Sequence, residues 1–325
     1  MPDPLAPYPS PEAREAQLHG LAAAAGGAIE EIGRSVEGRP IAVARLPHLG
    51  RQEGAGEAPP RLLVLGNIHG PEFVSSAVAL GVLQRANALP VLQRLRERAE
   101  LWVLPCLNPD GYARVFERAG VGLLPALRPN AHGVDLNRNF PLPPGRKRRA
   151  LPGAGSTVPG AATYVGPAPL SEPESAALAA FCAVKRFRAV VSGHSFMGRV
   201  IPAHVEDAAD FAGYRQLCGA LALAQPKVSY GRLSSRFFDT FTGELEDHLH
   251  HHLGTWAICL ETFPLWASYQ QHLRAPSLFW RFNPRAPLPW VDNDVAGIAG
   301  FFHAALDLGP PPSGAGRLYE APAAW

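Results

Sequence analysis

His69 and Glu72 stand three residues apart, directly after the apolar run RLLVLGNI. By spacing alone the pair is weak evidence, because His and Glu meet this way by chance in a chain of 325 residues. Position strengthens it. His69 falls in the loop that leaves a strand and Glu72 on the first turn of the next helix. Both side chains can then converge at the carboxyl edge of a sheet, where open α/β sheets place their sites. A second apolar run, AVVSGHS, reaches His194 at its end, and a third, TWAICLE, ends on Glu261. Two histidines and one carboxylate fill three positions of a tetrahedral zinc ion and leave the fourth for water. A further carboxylate nearby would be the general base for that water.

The runs that would carry these residues are Ile41–Leu46, Leu62–Leu65, Leu101–Leu104, Ala189–Val191 and Trp256–Leu260. They are too short for helices and lack strict alternation, which predicts strands buried on both faces. Helical patterns lie between them at Glu72–Ala86, Glu172–Val184, Asp207–Ala224 and Glu244–Leu253. That alternation predicts an α/β fold, a sheet with helices on both sides. No internal repeat is visible. Residues 1–325 read as a single domain, with a Pro/Gly/Arg-rich insertion at 141–169 and an irregular extension from Gly309 that carries Tyr319 and Trp325. The basic run Arg146–Arg149 inside the insertion reads as part of a solvated loop.

Composition narrows the function classes. The chain is 47% hydrophobic and carries 30 basic and 28 acidic residues, a formal net charge of +2. Near-balance argues against nucleic acid or an anionic membrane as the main partner. The start of the chain has no basic and apolar leader pattern, and no stretch of 18 apolar residues occurs. The four cysteines form no C-x-x-C pair, and Cys106 and Cys259 sit inside apolar runs as expected of buried thiols. The expectation is a soluble cytoplasmic protein; its oligomeric state is left open.

The most informative stretch is Arg128-Pro-Asn-Ala-His-Gly-Val-Asp135-Leu-Asn137-Arg138-Asn-Phe140, preceded by Asn108-Pro-Asp-Gly111. Two arginines and an amide in one loop supply forked donors for a carboxylate and for a developing oxyanion. The segments GRSVEGRPI, HGPE, NPDGY, RPNAHGVDLNRNF, GHS and LETF, spread over residues 33–263, resemble in sequence and order those of the zinc metallocarboxypeptidase family. The resemblance implies that family's mixed, largely parallel, eight-stranded twisted sheet with helices on both faces. It implies one zinc ion per chain, with His69, Glu72 and His194 as its ligands. Asp135 resembles the carboxylate that orients the first zinc-binding histidine, an arrangement with a clear physical role. Arg128 is similar in place to the arginine that holds the oxyanion. Asn137 and Arg138 resemble the pair that grips the free C-terminal carboxylate of a small peptide substrate. Glu261 resembles the base that takes a proton from water and passes it to the leaving amine.

These residues also admit other readings. His132 and Asp135 could form a metal pair of their own, but they follow no strand. The run His248, His250, His251 and His252 could be a metal box, since His248, His251 and His252 would share one helix face, but with no carboxylates arranged around it the run reads as a solvated face. Glu261 could be a strand-end carboxylate paired with an arginine, and Arg138 a plain surface ion pair. Two departures from the family stand out. The tyrosine expected some twenty residues before the base is missing; Asp239, flanked by Phe238 and Phe241, takes its place. The connector from Arg128 to Arg138 is short, as in the bacterial murein-peptide amidases that cut γ-D-glutamyl–diaminopimelate bonds, a group that SEPESAAL also resembles. Asp247 lies fourteen positions before Glu261, which by the family pattern makes Glu246 the floor of the specificity pocket, suited to Lys, Arg or diaminopimelate. The alternatives are an N-acyl amino acid deacylase of the aspartoacylase type and a metal-dependent peptide-binding protein.

Overall fold

The computed structural model describes residues 4–50, 58–148, 153–237, 241–274 and 277–314. Each of the five apolar runs becomes a strand, and three more complete a sheet. The strands are β1 (Ala28–Arg34), β2 (Pro40–Leu46), β3 (Arg61–Leu65), β4 (Glu100–Leu104), β5 (Ala189–Ser195), β6 (Arg199–Pro202), β7 (Gly231–Arg232) and β8 (Trp256–Thr262). Their order is β1-β2-β4-β3-β5-β8-β6-β7. The β4–β3, β3–β5, β5–β8 and β6–β7 ladders are parallel, and the other three are antiparallel. This is the mixed, largely parallel eight-stranded sheet expected.

Helices cover both faces: α1 (Pro11–Ala24), α2 (Phe73–Arg85), α3 (Pro90–Arg96), α4 (Pro109–Glu117), α5 (Leu124–Leu127), α6 (Pro173–Lys185), α7 (Ala208–Ala224), α8 (Leu245–Leu253), α9 (Leu265–Arg274), α10 (Leu278–Phe282) and α11 (Leu288–Leu308). Strand periodicity decides which core each residue joins. Leu62, Val64, Val191 and Ile258 pack with α2, α7 and α11, whereas Leu63, Leu65, Val190 and Ala257 pack with α6 and α8. No helix among the described residues is long and apolar enough to cross a membrane.

Two expectations change here. The insertion is not simply a solvated loop. The backbone N–H of Asp135 donates to Tyr164 O at 2.8 Å, and Asn139 Nδ2 donates to Val165 O at 2.9 Å. Arg148 donates to Thr242 O at 2.9 Å and Arg138 O at 3.2 Å, and Arg146 pairs with Glu206. Turn carbonyls that leave water need donors, and Arg148 supplies them, whereas Arg146 and Lys147 stay exposed as expected of a solvated loop. Arg149 lies outside the described residues.

The histidine run is not a solvated face either. His248 and His250 are buried. His250 meets Asp210 Oδ2 at 3.2 Å and Tyr214 Oη at 3.1 Å, while His251 and His252 reach the carbonyls of His204 and Leu142. Helix α8 is covered on several sides, so its histidines serve as packing groups. Burial pushes His248 down to about 3 and His251 to about 4, leaving both neutral at pH 7. The extension from Gly309 begins packed, since Gly309 O accepts from Trp256 Nε1 at 2.7 Å. Tyr319 and Trp325 lie outside the described residues. Cys106 and Cys259 are buried and free, as expected, and so are Cys182 and Cys218.

Candidate functional site

The loop after β3 places His69, and Glu72 sits at the N-cap position of α2. Gly70 makes that loop possible. A Cβ there would stand 2.2 Å from Leu127 O, and Gly70 N donates to Arg128 O at 3.0 Å. The close approach brings the Arg128 backbone beside His69. His194 enters from the end of β5. His69, Glu72 and His194 are all buried, and each can offer a ligand atom within 4.8 Å of the others.

The donor set can be tested against a metal. His69 Nδ1 lies 2.9 Å from Glu72 Oε1, and His194 Nδ1 lies 3.1 Å from Glu72 Oε2. The two Nδ1 atoms are 3.2 Å apart. The far nitrogens have their own partners. His69 Nε2 meets Asp135 Oδ1 at 3.0 Å, and His194 Nε2 meets Ser192 Oγ at 3.0 Å. The Ser192 hydroxyl also meets the Glu246 carboxylate; donating there leaves its oxygen to accept from His194. With both Nε2 atoms protonated, both Nδ1 lone pairs and Glu72 crowd one point. A cation resolves that crowding. Two nitrogens bound tetrahedrally at about 2.0–2.1 Å stand about 3.3–3.4 Å apart, close to the observed spacing. The residues fit a zinc ion.

Asp135 organises the neighbours. Besides His69 it accepts from Arg128 Nε at 2.9 Å and from Asn137 N at 3.0 Å. Burial opposes its charge, but Arg128 and His69 outweigh that and hold its carboxyl well below the usual range. Arg128 also reaches within 3.7 Å of Glu72. His132, by contrast, turns away to Glu172 at 2.8 Å. It makes no metal pair with Asp135.

Glu261 stands beside His194 and Cys259, all three offering ligand atoms within 4.8 Å of one another. Its Oε2 is buried with no hydrogen-bond partner. Burial, with Glu72 close by, pushes this carboxyl up to about 8, against the pull of His69 and Arg128. Burial also pushes the Cys259 thiol well up, so it stays protonated and is a poor ligand. Glu246, on the first turn of α8, is buried with Oε1 unpartnered. Burial and Glu244 push it up to about 7.

Arg138 and Asn137 face α8 as well. Arg138 Nη1 pairs with Glu244 at 3.2 Å, and its Nε and Nη2 donate to Gly153 O at 3.2 and 3.1 Å. Asn137 Oδ1 accepts from Leu245 N at 2.9 Å. A side-chain amide held by its oxygen turns its nitrogen, the donor end, elsewhere. Asp239 and Phe238 lie outside the described residues. Sequence reasoning passed over Ser192, although strand periodicity puts it two residues from His194 on the same face.

Comparison with known proteins agrees with this geometry. A family model described as zinc carboxypeptidase matches residues 18–264. Human carboxypeptidase D is 34% identical over 157 residues, which is 40% of this chain but only 11% of that protein. Bovine thrombin-activatable fibrinolysis inhibitor, solved with a tick carboxypeptidase inhibitor, superposes with a TM-score of 0.71 at 18% identity, covering 93% of this chain and 98% of that one. Carboxypeptidase A from Helicoverpa armigera gives a TM-score of 0.67 at 20% identity, covering 92% of this chain and 74% of that one.

Proposed function

The chain belongs to the zinc carboxypeptidase family, and from that premise we propose that it is a zinc-dependent hydrolase removing the C-terminal residue from small peptides, with a preference for cationic side chains. The observation that carries the reading is the meeting of the His69 and His194 Nδ1 atoms with Glu72, each ring fixed from behind. A zinc ion held by His69, Glu72 and His194 would supply a Lewis acid and a more acidic water at this point.

The protein's own groups do the rest. Arg138 and Asn137 hold the terminal carboxylate, which sets the last amide bond in the site. Glu261 takes a proton from the attacking water and later delivers it to the leaving amine. Arg128 donates to the carbonyl oxygen as negative charge develops on it. Asp135 keeps both Arg128 and His69 in place. Glu246 attracts a cationic side chain on the substrate.

Mass-spectrometric cleavage of a mixed peptide library by the zinc-loaded protein tests this. The library includes γ-D-glutamyl–diaminopimelate peptides. Release of C-terminal Lys or Arg is the expected result. Cleavage of the murein peptides alone would make the protein a cell-wall amidase, and silence on every peptide would overturn the peptidase reading.

A further inference from the structure

Glu244 holds the N-cap position of α8, yet its carboxylate makes no hydrogen bond to the helix amides. An acidic N-cap ordinarily accepts from the first turn. Here the side chain points to Arg138 instead, with Oε1 3.2 Å from Nη1. The other Arg138 hydrogen bonds among the described residues go to backbone carbonyls, Asn137 O and Gly153 O. Glu244 is therefore the carboxylate partner of the arginine that the proposed reaction needs for a substrate carboxylate.

The surroundings say where Glu244 could go. It is part-exposed and lines a cavity of about 420 Å³ together with Ile201, Pro202, His204, Leu233 and Asp247. Asp247 is engaged by His204 N at 2.8 Å. Glu246, two residues on, is buried and has an unpartnered oxygen. Glu244 pairs with Arg138 directly, and the charge of Arg138 also reaches Glu246. When a terminal carboxylate takes Arg138, Glu244 loses that counter-ion, and a cation brought by the ligand can replace it.

We propose that Glu244 is a specificity-determining residue that occupies Arg138 in the ligand-free protein and exchanges it for the cationic side chain of the incoming C-terminal residue. This rests on the reading of Arg138 as the terminal-carboxylate anchor. An apolar C-terminal residue must displace Glu244 and leaves it unpaired. A lysine or arginine replaces the lost ion pair, so selectivity arises partly from the penalty on apolar ligands.

Calorimetric titration of the zinc-loaded protein with N-acetyl-L-lysine and N-acetyl-L-norleucine tests the exchange without requiring turnover. Glu244→Gln should bind the norleucine probe about tenfold more tightly and the lysine probe no more tightly, so the lysine preference falls about tenfold. Glu244→Asp, which keeps the charge, should restore most of that preference, and melting temperatures check that each variant is folded. Unchanged affinities, or an equal change for both probes, would overturn the proposal. If Arg138→Ala leaves norleucine binding intact, the anchor reading itself fails and the exchange falls with it. Equal shifts in Glu244→Gln with an intact Arg138 dependence overturn the exchange alone.

Discussion

His194 on β5 and Glu261 on β8 are register partners across one parallel ladder, as are Ser192 and Cys259 two residues earlier. Side chains two apart on a strand share a face, so these four form a patch at the carboxyl edge of the sheet. Within it Ser192 meets His194, and Cys259 lies 3.9 Å from Glu261. The proposed ligand and the proposed base are thus spaced by backbone hydrogen bonds between central strands. Such placement is stiffer than a loop provides.

That stiffness makes Glu261→Gln a clean test of the base. The amide keeps the shape but cannot take a proton. Turnover should fall by about 10²–10⁴-fold, the range of general acid–base catalysis. Zinc content, measured by atomic emission on the purified variant, should stay at one per chain. Retained turnover would remove Glu261 from the mechanism.

The groups behind the histidines should govern metal affinity instead. Asp135→Asn or Ser192→Ala frees the far nitrogen of one ring, so its tautomer and angle are no longer set. Zinc affinity should drop about 10–100-fold in either variant, read by competition with a chromogenic chelator. Asp135→Asn should also weaken the hold on Arg128 and lower kcat after zinc is restored to saturation. Ser192→Ala should recover most of its kcat at saturating zinc. Equal zinc affinity in wild type and both variants would refute this support role.

Much of this site was legible because burial leaves a mark on sequence. β3, β4, β5 and β8 are covered on both faces, so each reads as an unbroken apolar run whose end can be located. His69, His194 and Glu261 follow from those ends. β1, AIEEIGR, is an edge strand with half-exposed charges and shows no such run, and β6 and β7 are only four and two residues long. The Arg138–Glu244 pair was illegible for another reason. It depends on α8 docking against a loop more than a hundred residues earlier, through Gly243. A Cβ on Gly243 would stand 2.6 Å from Arg138 O, and its φ is +86°. The histidine run misled because a local pattern does not reveal what covers a helix.

Arg138→Ala separates binding from chemistry. Losing a charge-assisted pair to the substrate carboxylate should cost about 2 kcal/mol, roughly 30-fold in KM, while kcat changes only a few-fold. Steady-state kinetics on a C-terminal lysine peptide gives both numbers. A fall in kcat matched by an unchanged KM would place Arg138 with the reacting atoms and not with the terminal carboxylate.

Glu246 sets a pH dependence with a definite sign. Burial and Glu244 push its carboxyl up to about 7. Below that pH it is neutral and offers a cationic side chain no ion pair; above it the carboxylate is charged. The lysine ammonium stays protonated to about pH 10. For a C-terminal lysine peptide, 1/KM should therefore rise as pH increases through about 7 and then level off. A norleucine peptide of the same length has no cation to pair and should lack that limb, and Glu246→Gln should abolish it for lysine as well. The comparison matters because Glu261 is also pushed up, to about 8, and a limb from the base would touch every substrate. A limb shared equally by lysine and norleucine peptides would assign the titration to Glu261 and remove Glu246 from specificity. A limb confined to lysine places the Glu246 carboxylate against the substrate side chain, since charge pairing alone distinguishes two side chains of nearly equal length.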